Sequence, residues 1–122
     1  MDTMSLVADG VDVRQTEDDL TLVLSAAGAE VMRLRVRYEG WDDEVINPAG
    51  AAAPGPGAFT LIGHELRLEF GARTVADVGY ARDCRVRLDV DDEGIRRVRA
   101  ALLEILQCAC YIVDTAEGRV CS

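Results

Sequence analysis

The chain has 122 residues, with 22 acidic and 13 basic side chains and a formal net charge of −9. That length suits one domain with a core of its own, and the negative balance disfavours nucleic-acid phosphates and favours a basic partner. Every basic residue is arginine, which removes a Schiff-base lysine or a lysine general base from the available chemistries.

Residues 1 to 10 read as a loosely held start. Val11 and Val13 alternate with Asp12 and Arg14 as a short first strand. The acidic turn TEDD, residues 16 to 19, leads into LTLVLSA, where Leu20, Leu22 and Leu24 share one face. After an AGAE turn, VMRLRVRY is the clearest strand. Met32, Leu34, Val36 and Tyr38 point one way and Arg33, Arg35 and Arg37 the other. These three segments are expected to form an antiparallel meander.

Residues 39 to 57 are expected to be a long loop, because Pro54 and Pro56 remove backbone donors and restrict the residues before them. FTLIG and HELRLEF then read as a hairpin or one bent strand, with Leu66, Leu68 and Phe70 facing the core. ARTVADVGY is expected to be a turn or a single helical turn. CRVRLDV follows as a strand with Val86, Leu88 and Val90 inward.

Asp91 or Asp92 can cap a helix whose Ile95, Val98, Leu102, Ile105 and Leu106 form one apolar stripe. The tail predicts a closing hairpin at 110–121, with Val113 opposite Gly118 and Cys110 opposite Cys121. The expected fold is a single α+β domain: a mostly antiparallel sheet of about five to seven strands with one main C-terminal helix on its apolar face.

No run approaches the ~20 apolar residues of a membrane span. Asp2 and Asp9 stand where a secretory leader would be basic and then apolar. The expectation is a cytoplasmic protein of a GC-rich bacterium, a monomer or homodimer, with its four cysteines as free thiols. A Cys110–Cys121 bridge is the natural pairing should the thiols oxidise.

No Gly-x-Ser-x-Gly elbow, Walker loop or dinucleotide fingerprint occurs. His64 is the only histidine, and Cys84 is the thiol that adjacent strands could bring to it. Cys84, Cys108, Cys110 and Cys121 with His64 have the ligand types of zinc, but C-x-C with a distant cysteine is not the usual spacing. No catalytic set, metal or cofactor is therefore expected.

Two surface features remain. Arg33, Arg35, Arg37, Arg67, Arg85 and Arg87 all lie opposite the apolar sides of their strands, either as an anion site or as a solvated face paired with Glu65, Glu69 and Asp89. Tyr38, Glu39, Trp41, Asp42, Asp43 and Glu44 place two aromatics and four carboxylates in seven positions. There Trp41 either caps the core or anchors a partner, with the carboxylates steering a basic surface. The alternative function is a small-molecule binder or cyclase-like enzyme that uses the arginine face or a pocket between sheet and helix.

The segment from 59 to 107, with HELRLEF, VADVG, CRVRLDVDDE and IRRVRAALLEIL in that order, is similar to the C-terminal half of small bacterial immunity proteins of polymorphic toxin systems. The family's strand leading to a Tyr-Gly-Gly element is replaced here by AAAPGPGAF. The resemblance implies a non-enzymatic protein that neutralises a basic protein toxin by binding it.

Overall fold

The structure is a computed structural model and describes residues 2–122. Period-two alternation runs through both halves of the chain and yields, among the described residues, eleven strands in two sheets, with two helices. The first sheet is an antiparallel meander of β2 (Gly10–Gln15), β3 (Asp19–Ala26), β4 (Ala29–Arg37), β5 (Asp42–Ile46) and β6 (Ala52–Pro54). The second holds β1 (Thr3–Ala8), β7 (Ala58–Ile62), β8 (Glu65–Glu69), β9 (Asp83–Leu88), β10 (Cys110–Thr115) and β11 (Gly118–Cys121), in the order β1-β9-β8-β7-β10-β11. Two of its pairs are parallel, β1 with β9 and β7 with β10.

The α+β class is as expected, but the single sheet of five to seven strands with one helix is replaced by two sheets of five and six strands with two helices. The reason is apolar area: the meander and the later strands each present a full apolar face, more than one helix can cover. Leu22, Leu24, Met32 and Leu34 of one sheet and Phe59, Leu61, Leu66 and Leu68 of the other join one buried cluster. Helix α2 (Asp92–Ile105) supplies Ile95, Val98, Leu102 and Ile105 to it and lies against β2, β3 and β4. Asp91 is its N-cap, accepting from the Gly94 amide at 2.8 Å.

Four further expectations are corrected. Residues 3 to 8 are not loose but form β1, in which Met4, Leu6 and Ala8 turn inward beside β9. The ARTVADVGY segment holds a seven-residue helix, α1 (Ala72–Val78), which ends on Gly79 at φ 84°. Residues 39–57 contain β5 and β6. Pro54 is accommodated because β6 is an edge strand, where a missing donor breaks no ladder. Asn47 secures the connection, accepting from the Ala51 amide at 2.9 Å and donating to the Val78 carbonyl at 3.0 Å. The Thr74 hydroxyl donates to the Pro54 carbonyl at 2.7 Å.

The closing hairpin forms in another register. Thr115 pairs with Gly118 and Ile112 with Cys121, so Cys110 has no partner opposite it. The tight turn at Ala116–Glu117, with Gly118 at φ 120°, replaces the expected four-residue loop. Among the described residues all four cysteines are free.

If β1 is integral, its two faces respond differently to charge. Ala8→Asp, at a fully buried position, is expected to lower unfolding free energy by about 3 kcal/mol in urea titration. Val7→Asp, on the outer face, is expected to stay within about 1 kcal/mol.

Candidate functional site

The meander brings two turns to one end of its sheet, 16–18 between β2 and β3 and 38–41 between β4 and β5. The Tyr38 amide donates to the Asp18 carbonyl at 2.9 Å, joining them. The cross-strand row at this end is Asp19, Arg37 and Asp42; the next outward-facing row is Thr21, Arg35 and Glu44. Glu44 is flanked by both arginines, hydrogen-bonded to Arg35 and 3.5 Å from Arg37. That leaves Glu17, Asp18, Asp19, Glu39, Asp42 and Asp43 without an arginine partner among the described residues. The exposed Arg37 stands between two open clefts of about 450 and 410 Å³. The first is walled by Glu17, Asp18, Asp19 and Glu39 with Arg35, and the second by Asp42, Asp43 and the Arg73–Asp77 pair of α1.

The six residues of the 38–44 stretch divide into distinct roles. Glu39 and Asp42 are exposed. Glu44 is engaged within the sheet. Asp43 is in register with Val36 and in phase with Val45, so it sits on the core-facing side at the rim, where a Cβ on Gly55 would meet its carboxylate. Burial pushes the Asp43 carboxyl above its ordinary range; a backbone hydrogen bond works against that shift and the Asp42 charge adds to it.

Tyr38 and Trp41 pack against the core cluster with their rings 5.6 Å apart. Gln15 donates to the Tyr38 hydroxyl at 3.0 Å. The Trp41 indole N–H is enclosed with no hydrogen-bond partner among the described residues, and its backbone takes φ 53°, a conformation uncommon outside glycine. Trp41 thus covers the open end of the core while remaining partly accessible. Sequence reasoning missed Glu17, Asp18 and Asp19 as neighbours of this stretch. The signal was present, because alternate turns of an antiparallel meander fall at the same end.

The arginine face does not assemble. Arg33, Arg35 and Arg37 belong to the five-stranded sheet, and Arg67, Arg85 and Arg87 to the six-stranded one. Both sheets turn their inner faces to one core, so the two arginine sets point away from each other. Most are also paired. Arg33 donates to Glu30 at 2.7 Å, and Arg67 makes a two-pronged contact with Asp83 at 2.8 and 2.9 Å. Arg67 holds the Asp83 carboxyl below the usual carboxylate range.

His64 and Cys84 do not meet in a catalytic arrangement. His64 sits in the β7–β8 turn with Nδ1 3.1 Å from the Leu88 carbonyl, whereas Cys84 lies on the core face opposite Leu68. Burial pushes the Cys84 thiol up to about 11, away from a reactive thiolate. Among the described residues no three metal-ligating side chains come together, and no helix is long and apolar enough to cross a membrane. Comparison of the chain with protein-family models, curated proteins and solved structures found no match.

Two measurements follow from this geometry. The folded-state pKa of Asp43 stands above its unfolded value, so its contribution favours the fold at low pH and is lost as pH rises through the carboxylate range. Asp43→Asn is therefore expected to raise the urea midpoint at pH 7, with the gain vanishing near pH ~3. Trp41→Phe, which keeps a ring and removes the unpartnered N–H, is expected to stay within about 1 kcal/mol of the parent, while Trp41→Ala loses about 2 kcal/mol or more.

Proposed function

We propose that this chain is a non-enzymatic binding protein that docks a basic protein through the two acidic turns, as an immunity-type inhibitor that neutralises a toxin by contact. The observation that carries this reading is the group of Glu17, Asp18, Asp19, Glu39 and Asp42, five carboxylates on adjoining turns that form no ion pair among the described residues, with Arg37, drawn to Glu44, the one arginine in their row. Elsewhere Arg33, Arg67 and Arg96 are each matched to a carboxylate.

An acidic cluster on adjoining hairpin turns raises the local concentration of a cationic surface and orients it before contact. Trp41, held in place at the centre, offers an aromatic edge of the kind that anchors interfaces once water is excluded. A nuclease toxin suits such a partner, since a surface built to bind phosphates is basic. Such an inhibitor would act in the bacterial cytoplasm that it protects.

The test begins with affinity capture from lysate of the source organism, followed by binding kinetics with the captured protein. Asp18→Asn, Glu39→Gln and Asp42→Asn together are expected to slow association about tenfold at low ionic strength, a difference that added salt erases. Arg85→Gln with Arg87→Gln, on the opposite sheet, is expected to leave the rate unchanged. Salt-insensitive binding that the triple variant does not alter would contradict the proposal.

A further inference from the structure

We propose that Cys110 and Cys121 form a reversible disulfide, and that making it slides β11 by two residues along β10. The inference is independent of the partner reading and stands on the hairpin's register.

Cys110, Cys121 and Cys108 are exposed, whereas Cys84 is fully buried. Cys108 lies outside the strands, in the turn after α2. Tyr111 and Ser122 exchange both backbone hydrogen bonds, at 3.3 and 2.9 Å. The neighbouring pair Ile112–Cys121 is therefore of the non-hydrogen-bonded kind. Cys110, two residues before Ile112, shares the face of Cys121 but lies on the diagonal.

Diagonal partners sit roughly 7–8 Å apart, beyond the reach of a relaxed disulfide, which ends near ~7 Å between Cα atoms. Directly opposite residues of a non-hydrogen-bonded pair are about 4.5 Å apart, within that reach. A two-residue slide makes Cys110 and Cys121 such a pair. Because the shift is even, every side chain of β11 keeps its face.

Little in the structure opposes the movement. All four residues of β11 are exposed, and among the described residues no strand pairs with its far edge. The turn lengthens from two residues to four, a common hairpin loop. Val120 moves from opposite Val113 to opposite Tyr111, which stacks on Phe59 at 5.3 Å, so it stays on the inner face beside apolar surface. The side-chain hydrogen bonds given up lie at the surface or half-buried: Arg99 to the Thr115 hydroxyl at 2.8 Å and the Gly118 carbonyl at 3.3 Å, and Arg96 to Glu117 at 3.1 Å.

The chemistry is thiol–disulfide exchange with a small-molecule disulfide. One cysteine thiolate attacks the oxidant and expels one thiol as a mixed disulfide forms. The second cysteine thiolate then displaces the other thiol, so two protein thiols are oxidised and one small disulfide is reduced to two thiols.

The test treats the full chain with oxidised glutathione, alkylates the remaining thiols, and maps the peptides by mass spectrometry. The expected result is loss of alkylation at Cys110 and Cys121 alone, with the two peptides linked in a monomer and restored by dithiothreitol. Cys108 stays alkylatable. In NMR spectra, close Hα–Hα contact between Cys110 and Cys121 should replace that between Ile112 and Cys121. A Cys108–Cys110 link, chains joined through Cys121, or glutathione adducts without a bridge would overturn the proposal. A bridged protein that retains the Ile112–Cys121 contact would overturn the slide.

Discussion

A single stretch of backbone, Ala8 to Gly10, belongs to both sheets, and the packing of one on the other depends on it. The Ala8 carbonyl accepts from Asp89 at 2.7 Å at the end of the six-stranded sheet, and the very next amide, that of Asp9, donates to the Ser25 carbonyl of β3 at 2.9 Å. The Asp9 carboxylate accepts from the Ala27 amide at 3.1 Å, which fixes the β3–β4 turn to the same point. Gly10 passes so near the Ser25 side chain that a Cβ there would force it to move. With one chain segment shared between the edges β1 and β2, the two sheets close over a common core, and α2 follows β9 and lies against β2, β3 and β4.

This arrangement was only partly legible in the sequence. The alternations Leu20–Leu24, Met32–Val36 and Leu66–Phe70 identify strands and faces without ambiguity, and the stripe Ile95–Leu106 identifies α2. What alternation cannot report is which strands share a sheet. The parallel pairs β1–β9 and β7–β10 join segments far apart in the chain, and no local pattern encodes that choice. Residues 3–8 looked loose because Thr3, Ser5 and Val7 face outward on an edge strand, where polarity is tolerated. The β5–β6 region was hidden by its prolines, although one of them lies on an edge and the neighbouring turn is held by the Asn47 side chain.

The candidate site shows the same division. Composition made the acidic character of 38–44 plain, but not the sorting of its carboxylates between faces. Asp43 turns inward because the strand's period carries it there from Val45, while Glu44 turns outward to Arg35 and Arg37. Drawing both arginines to Glu44 has an electrostatic consequence, since it leaves the carboxylates of both turns without an ion pair of their own among the described residues. The six arginines that look alike in sequence separate onto opposite faces for the topological reason that hid β1.

The most direct test of the central claim is amide hydrogen exchange of the protein alone and with its captured basic partner. The account predicts slowed exchange in residues 16–19 and 38–44, with the outer face of β8 and β9 unchanged. Protection confined to β8, β9 or the β10–β11 hairpin, with both acidic turns exchanging as in the free protein, would contradict it.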